Sequence, residues 1–324
     1  MSNLLVGVVS ALVATNQPLA LSNLLLKKAG APLAIAHSND PAEKELRKLM
    51  EQDDEAQTEV DQWIRENNDF VAKGAGVSAA ALNERIRKRF EPVRKAYDDF
   101  VQRYPKNVQA RIAYASFLGD IRDEDGEFDQ LEKARELDST DPAVWNNLAN
   151  YHGHYGPVTK AFDYYAKAIE LNPNEPVYYH NFGTTVFLFR KDAVEHFHIT
   201  EQQVFDKALE LYRQALKLDP ENFPLASDVA QTYYGIKPPR TDDALRSWTN
   251  ALSLAHDEIE REGVYVHFAR IKTHSGRFAE AHAHLETITN AMYADLKRRL
   301  ARALTDKENE TKGTNAPPSP QPGK

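Results

Sequence analysis

Apolar positions recur at helical spacing through most of this chain, and most clearly in residues 141–173, DPAVWNNLANYHGHYGPVTKAFDYYAKAIELNP. Asp141 is placed to cap a helix with Pro142 in its first turn, and Trp145, Leu148 and Ala149 then fall on one face. After a turn through His154, Tyr155 and Gly156, a second stripe runs Ala161, Tyr165, Ala168 and Leu171, and Pro173 closes the stretch. The pattern predicts two helices, A and B, joined as a hairpin. Ala149, Ala161 and Ala168 let the helices approach closely, while Trp145, Leu148 and Tyr165 fill the seam. Neither helix could bury its stripe alone.

The pattern recurs at a fixed step. On helix A, Ala81, Ala115, Ala149 and Gly183 are each 34 residues apart, followed by Ala230 after 47 and Ala269 after 39. On helix B a large residue runs Tyr97, Leu131, Tyr165, Tyr212, Trp248, Leu285, and Ala134, Ala168, Ala215 and Ala251 follow three residues later. Two ladders locked in one phase, with the W…LA…A…Y…A…P spacing of residues 141–173, resemble the tetratricopeptide repeat, or TPR. The resemblance covers residues 74–290 in about six units: 74–107, 108–141, 142–175, 176–222, 223–261 and 262–290. The first unit matches only at Ala81, Tyr97 and Pro105. The second has Arg111 and Glu127 where an aromatic and an alanine are usual. The resemblance implies an all-α fold, a right-handed superhelical solenoid whose stacked A helices line an inner groove.

Several stretches lie outside the regular step. Residues 1–38 are an apolar segment whose first charge is Lys27, read as a helical hairpin or as a signal or anchor, with Ala34-Ile35-Ala36 a possible cleavage site. Residues 39–73 form a helical region opened by Asp40, Pro41 and Glu43. In the unit 176–222, thirteen extra residues lie around Leu188–Gln203, with a capping box at Thr200 and Gln203, and are expected to lengthen that hairpin by roughly 10 Å. Residues 291–306 read as a capping helix and 307–324 as a disordered tail.

Composition narrows the function more than the fold. Forty-eight acidic against forty basic residues give a net charge of −8, which disfavours general binding to a phosphate backbone. The cluster Arg85, Arg87, Lys88, Arg89, Arg94 and Lys95 keeps a helical-repeat nucleic-acid binder as an alternative. There is no cysteine, so disulfides, thiol catalysis and thiolate metal sites are excluded. Gly-rich phosphate loops and HExxH are absent, and the histidine pairs 152/154, 196/198 and 282/284 sit about 200° apart on a helix. The chain is read as no enzyme, with no cofactor and no metal. A cytoplasmic location is expected, with export after cleavage behind Ala36 as the alternative.

What remains is a surface. Helix A positions outside the core carry Asn146, Asn147, Asn150 and His154, then His180, Asn181 and Thr184, then Gln231 and Tyr234, then His267, Arg270 and His274. An amide side chain both donates and accepts, so a row of them can pair with the backbone of an extended peptide without reading its sequence. Asn150 and Asn181 match the asparagines of the TPR clamp that holds a carboxyl-terminal peptide. Its cationic positions are occupied here by Asn146, Pro224 and Asp228. The expected function is a protein-interaction scaffold that holds a peptide or partner helix through Asn146, Asn150, His180, Asn181, Gln231, Tyr234, His267 and Arg270. Self-assembly through residues 1–36 or 188–203 is a further alternative, and membrane contact is expected only if residues 1–26 act as an anchor.

Overall fold

The computed structural model describes residues 40–72 and 74–314. The predicted apolar segment 1–38 and the end of the predicted tail lie outside the described residues. The described residues are helical, with no strand among them, and form two compact units. One holds residues 40–185 and 191–198, the other residues 186–190 and 199–314. No helix among the described residues is long and apolar enough to cross a membrane.

The amino-terminal unit opens with α1 (Pro41–Ala72) and α2 (Ala79–Arg103). Leu46, Leu49, Ala56 and Val60 of α1 are buried against Phe90, Val93, Tyr97 and Phe100 of α2. Salt bridges Arg89–Glu59 at 2.6 Å and Arg103–Glu45 tie the pair at its edges. Residues 74–107 are therefore one helix rather than a first repeat hairpin. The buried residues of α2 keep a single stripe at three- and four-residue spacing, Pro92 is accommodated inside the helix, and Ala81 is exposed. The hairpins start with α3 (Val108–Asp120) and α4 (Glu124–Leu137), capped by Asn107 and Asp123, whose side chains accept from Ala110 N at 2.8 Å and Gly126 N at 3.0 Å. α5 (Pro142–Tyr155) and α6 (Val158–Leu171) follow. Asp141 caps α5 through Ala143 N at 2.8 Å, and Gly156, at φ 77° and ψ 170°, turns the chain in a conformation open to glycine alone. Ile112, Ala115, Leu131, Ala134, Val144 and Leu148 make one core across these hairpins.

The extra residues of the fourth expected unit do not lengthen a hairpin. α7 (Pro176–Leu188) keeps the 13 residues of α3, and the insertion folds into a separate short helix, α8 (Arg190–Phe197). Its end turns inward: Phe197 packs on Phe162 at 5.2 Å and on Phe182 at 6.3 Å, and His196 Nε2 lies 3.3 Å from Asp163. Aromatic burial thus favours folding the insertion onto the unit over extending it into water.

In the carboxyl-terminal unit, α9 (Glu201–Leu218) begins with a full capping box between Thr200 and Gln203. α10 (Phe223–Thr232), a 3-10 turn at Tyr233–Gly235, α11 (Thr241–Leu254), α12 (Glu258–His274) and α13 (Phe278–Thr287) follow. Trp248 and Ala251 of α11 are packed between Ala226 and Ala230 of α10 and Val264 and Phe268 of α12. After a second 3-10 turn, α14 runs Ala294–Thr314, eight residues past the expected helix end at 306. Leu296 and Leu304 are buried on α12 and α13, and Lys307–Glu310 adds an i,i+3 pair to the extension.

Candidate functional site

Three of the predicted asparagines come together. Asn146 and Asn150 lie one turn apart on α5, and Asn181 of α7 reaches across to both, its Nδ2 donating to Asn146 Oδ1 at 3.1 Å and to Asn150 Oδ1 at 3.4 Å. Tyr165 donates its hydroxyl to the same Asn150 oxygen at 2.7 Å, and Thr185 donates to the Tyr165 oxygen at 3.3 Å. The amides face one another more than they face solvent: Asn146 is 0%, Asn181 2% and Asn150 9% exposed. Asn146, expected to line a groove, is wholly buried with its Nδ2 unpartnered. Asn150 differs. With Oδ1 turned to Tyr165 and Asn181, its Nδ2 donates to nothing among the described residues, and the side chain lines a surface cleft. His180, one residue before Asn181 and so about 100° round the helix, is half-buried.

That cleft, of about 60 Å³, lies within the amino-terminal unit and is walled by Ser116 and Asp120 of α3, Glu127 of α4, and Asn147, Asn150 and Tyr155 of α5. Asn147 donates Nδ2 to the carbonyl of Ala143 at 2.8 Å, which leaves its Oδ1 outward. Glu127 stands twelve residues after Ala115, where Ala161 follows Ala149 and Ala281 follows Ala269. Its carboxylate fits because residue 119 is glycine: a Cβ there would lie 2.6 Å from Glu127 Oε2 and 3.1 Å from Oε1. Burial, then the charges of Glu127 and Glu124, push the Tyr155 hydroxyl up to about 12.

The other four predicted residues lie in the carboxyl-terminal unit. Tyr234 OH and His267 Nδ1 are 2.9 Å apart, Arg270 lies over the Tyr234 ring at 4.6 Å, and the His267 ring stacks on Trp248 at 3.9 Å and 10°. Gln231 Oε1, Ser227 Oγ, Trp248 Nε1 and His267 Nε2 are buried without hydrogen-bond partners. Burial, helped by the Arg270 charge, lowers His267 to about 3, so the imidazole is neutral. Like Asn146, His267 is buried, at 1% exposure. Sequence reasoning missed Ser116, Asp120, Glu127 and Trp248 as site residues. Only Glu127 carried a signal, as a departure from alanine in the ladder.

The cationic cluster is largely engaged in ion pairs and a cation–π contact, with Arg87, Lys88 and Lys95 exposed. Arg87 and Lys88 pair with Glu84, Arg89 with Glu59 and Arg94 with Asp123, while Arg85 lies 3.6 Å over the Trp63 ring. No group of three or more histidine or acidic side chains placed to hold a metal occurs among the described residues.

No protein-family model matches the chain. Among curated proteins it is similar to the photosystem I assembly protein Ycf3 of Rippkaea orientalis, at 29% identity over 129 residues, 37% of this chain and 74% of that protein. Ycf3 of Cyanophora paradoxa is 31% identical over 87 residues, 26% of this chain and 50% of that protein. Among solved structures, the type IV pilus biogenesis factor PilW aligns with a TM-score of 0.52 at 13% identity, over 75% of this chain and 98% of that one, a likeness of fold. Within this chain the ladder residues sit where the repeat needs them: Ala134, Ala168, Ala215 and Ala251 are all 0% exposed, and Leu131, Tyr165, Tyr212, Trp248 and Leu285 are buried beside them. The chain has the tetratricopeptide repeat fold. In this TPR fold the cleft is lined mostly by helix A residues, with Glu127 of helix B as its back wall.

Proposed function

We propose that this TPR protein is a non-enzymatic scaffold that holds an extended segment of a partner protein against the helix A face of its amino-terminal unit. The supporting observation is Asn150: nine-tenths buried, its oxygen held by Tyr165 and Asn181, its Nδ2 unpartnered and set in the cleft. An amide fixed in that way offers a donor to a backbone carbonyl without first losing side-chain entropy. Asn147 Oδ1, one helical step away, supplies the complementary acceptor. Asn181 and Asn146 act as its supports, and His180 completes the set of groove residues in this unit; Gln231, Tyr234, His267 and Arg270, in the other unit, are not part of it. The similar curated proteins are named as assembly proteins, and holding a partner's segment is what an assembly factor of this fold would do.

The test is site-specific photo-crosslinking in the full chain within its own cells. A benzophenone amino acid at Ser116, exposed at the cleft, is expected to capture a discrete partner. The same label at Lys167 on α6 is expected to capture none. Equal labelling from both positions, or none from Ser116, refutes the reading.

A further inference from the structure

The hairpin of α1 and α2 is longer than its core. On α1 the last buried residue is Val60, twelve residues before the helix ends at Ala72; on α2 the first is Phe90, eleven residues after the helix begins at Ala79. Between them no described residue is buried, and Trp63 and Ile86 are the apolar side chains that still pack against the core. At a rise of 1.5 Å per residue this free end is about 18 Å long. Its turn is nonetheless fixed. Asn67 accepts from Val77 N at 2.8 Å and donates Nδ2 to Val77 O at 3.4 Å, and Ala75 N donates to the Phe70 carbonyl at 2.8 Å. Gly76 closes over Val71, where a Cβ would lie 2.1 Å from the valine Cγ2. Held out on this turn are Phe70, Val71 and Val77, at 53%, 56% and 56% the most exposed large apolar side chains among the described residues, with Ile64 two turns before Val71. Apolar side chains grouped on a fixed turn beyond the core add nothing to the fold and mark a contact surface.

Charge indicates what the turn meets. Residues 61–89 hold six basic and four acidic residues, a net +2 within a chain of −8. Glu84 is engaged by Arg87 and Lys88, whose side chains stay 66% and 72% exposed, and Glu66 takes a hydrogen bond from Gln62. Asp69, exposed at the turn itself, limits how deep the turn can go. Arg85, Arg87 and Lys88 stand six to nine residues into α2, about 9–14 Å behind its first residue. Apolar side chains at the end with cations about 10 Å behind them match a bilayer interface, where an apolar face enters about 5–10 Å and cations stay with the headgroups. We propose that the end of the α1–α2 hairpin is a membrane-contact site, which inserts Phe70, Val71 and Val77 among the headgroups of an anionic bilayer and sets Arg85, Arg87 and Lys88 against their phosphates. The contact is independent of the peptide-binding reading and of any anchoring by residues 1–26. Alone it is weak and reversible, since a small apolar patch with a few cations is one signal where stable anchoring takes two.

The chain has no cysteine, so one introduced cysteine takes one probe. The full chain is labelled with nitrobenzoxadiazole at Val77→Cys, or at Lys160→Cys on the exposed side of α6 as a control, and titrated with vesicles of phosphatidylcholine alone or of equal parts phosphatidylcholine and phosphatidylglycerol. Emission at 77 is expected to rise and shift to the blue with the mixed vesicles and to stay constant with phosphatidylcholine alone, while emission at 160 stays constant with both. Arg87→Gln/Lys88→Gln is expected to weaken the partition onto mixed vesicles roughly thirtyfold, about fivefold for each cation near an anionic surface. Phe70→Ser, which lies outside the core, is expected to reduce the rise at 77 with the thermal melting curve in place. No rise at 77 with the mixed vesicles overturns the proposal. An equal rise at 160 means that the chain settles by another surface, and overturns it. So does an equal rise with phosphatidylcholine alone, or a partition that survives Arg87→Gln/Lys88→Gln. A rise at 77 on concentrating the protein without vesicles gives the turn to a second copy of the chain and also overturns it.

Discussion

Acidification from pH 7 to pH 5 destabilises the carboxyl-terminal unit through one buried histidine. His267 is 1% exposed, stacked on Trp248 and within 2.9 Å of Tyr234 OH, and burial holds its value at about 3 instead of 6.5. A histidine lowered in the folded state binds its proton first in the unfolded one. Its stabilising effect is therefore complete above pH 6.5, falls as pH drops through 6.5, and stops falling below 3. At pH 5 the unfolded imidazole is almost wholly charged while the folded one is neutral. The interval from 6.5 down to 5, at about 1.4 kcal/mol per pH unit, gives a loss of about 2 kcal/mol. The assay is urea unfolding followed by Trp248 fluorescence in a Trp63→Phe/Trp145→Phe background, at pH 7 and pH 5, with and without His267→Gln. Other titrating groups are common to both proteins and cancel. The loss should be about 2 kcal/mol smaller in the glutamine variant; an equal loss in both refutes the placement of a neutral, buried His267.

Asp53 acts in the opposite direction in the amino-terminal unit. Burial raises its carboxyl to about 6 despite hydrogen bonds from Tyr97 and Gln57, so its charge is unfavourable at pH 7 and the cost disappears as pH falls through 6. Asp53→Asn, which keeps an acceptor for Tyr97, should raise the stability of the chain at pH 7 by up to about 3 kcal/mol in urea unfolding and by almost nothing at pH 4. Tyr165→Phe removes the 2.7 Å bond that orients Asn150; it should cost about 1 kcal/mol in thermal unfolding and weaken capture of the partner from position 116. Gly119→Ala should leave the melting temperature unchanged or higher, since alanine is the better helix former by up to about 1 kcal/mol. Its Cβ would lie 2.6 Å from Glu127 Oε2 and so drives out the flexible carboxylate.

The seam was readable from spacing because it obeys a period. Ala134, Ala168, Ala215 and Ala251 occupy equivalent places in equivalent hairpins, and any residue there meets the same geometric demand. α2 was misread for the same reason. Ala81 falls on the 34-residue step and Pro92 stands between it and Tyr97, yet the helix runs through the proline, because the stripe from Phe90 to Phe100 gains more by staying continuous against α1. The asparagines were found by type and position but not by exposure. Whether an amide on α5 meets a ligand or a neighbour depends on what stands 35 residues later, and there it is Asn181. The cleft was least legible, because Glu127 and Gly119 become a pair only after α4 folds back on α3. The separate fold of α8 depended likewise on Phe162 and Phe182 being placed to receive Phe197.

The contact between residues 119 and 127 also constrains how this protein can change over time. A side chain at 119 and a carboxylate lying over it exclude each other, so the two positions are inherited as one character rather than two. A descendant that acquires alanine at 119 has displaced its acidic wall in a single step, with little penalty in stability to select against it. The side chains that line this seam can therefore drift without any change in the residues that hold the fold, and related chains should vary jointly at these two sites while the alanine ladder stays constant.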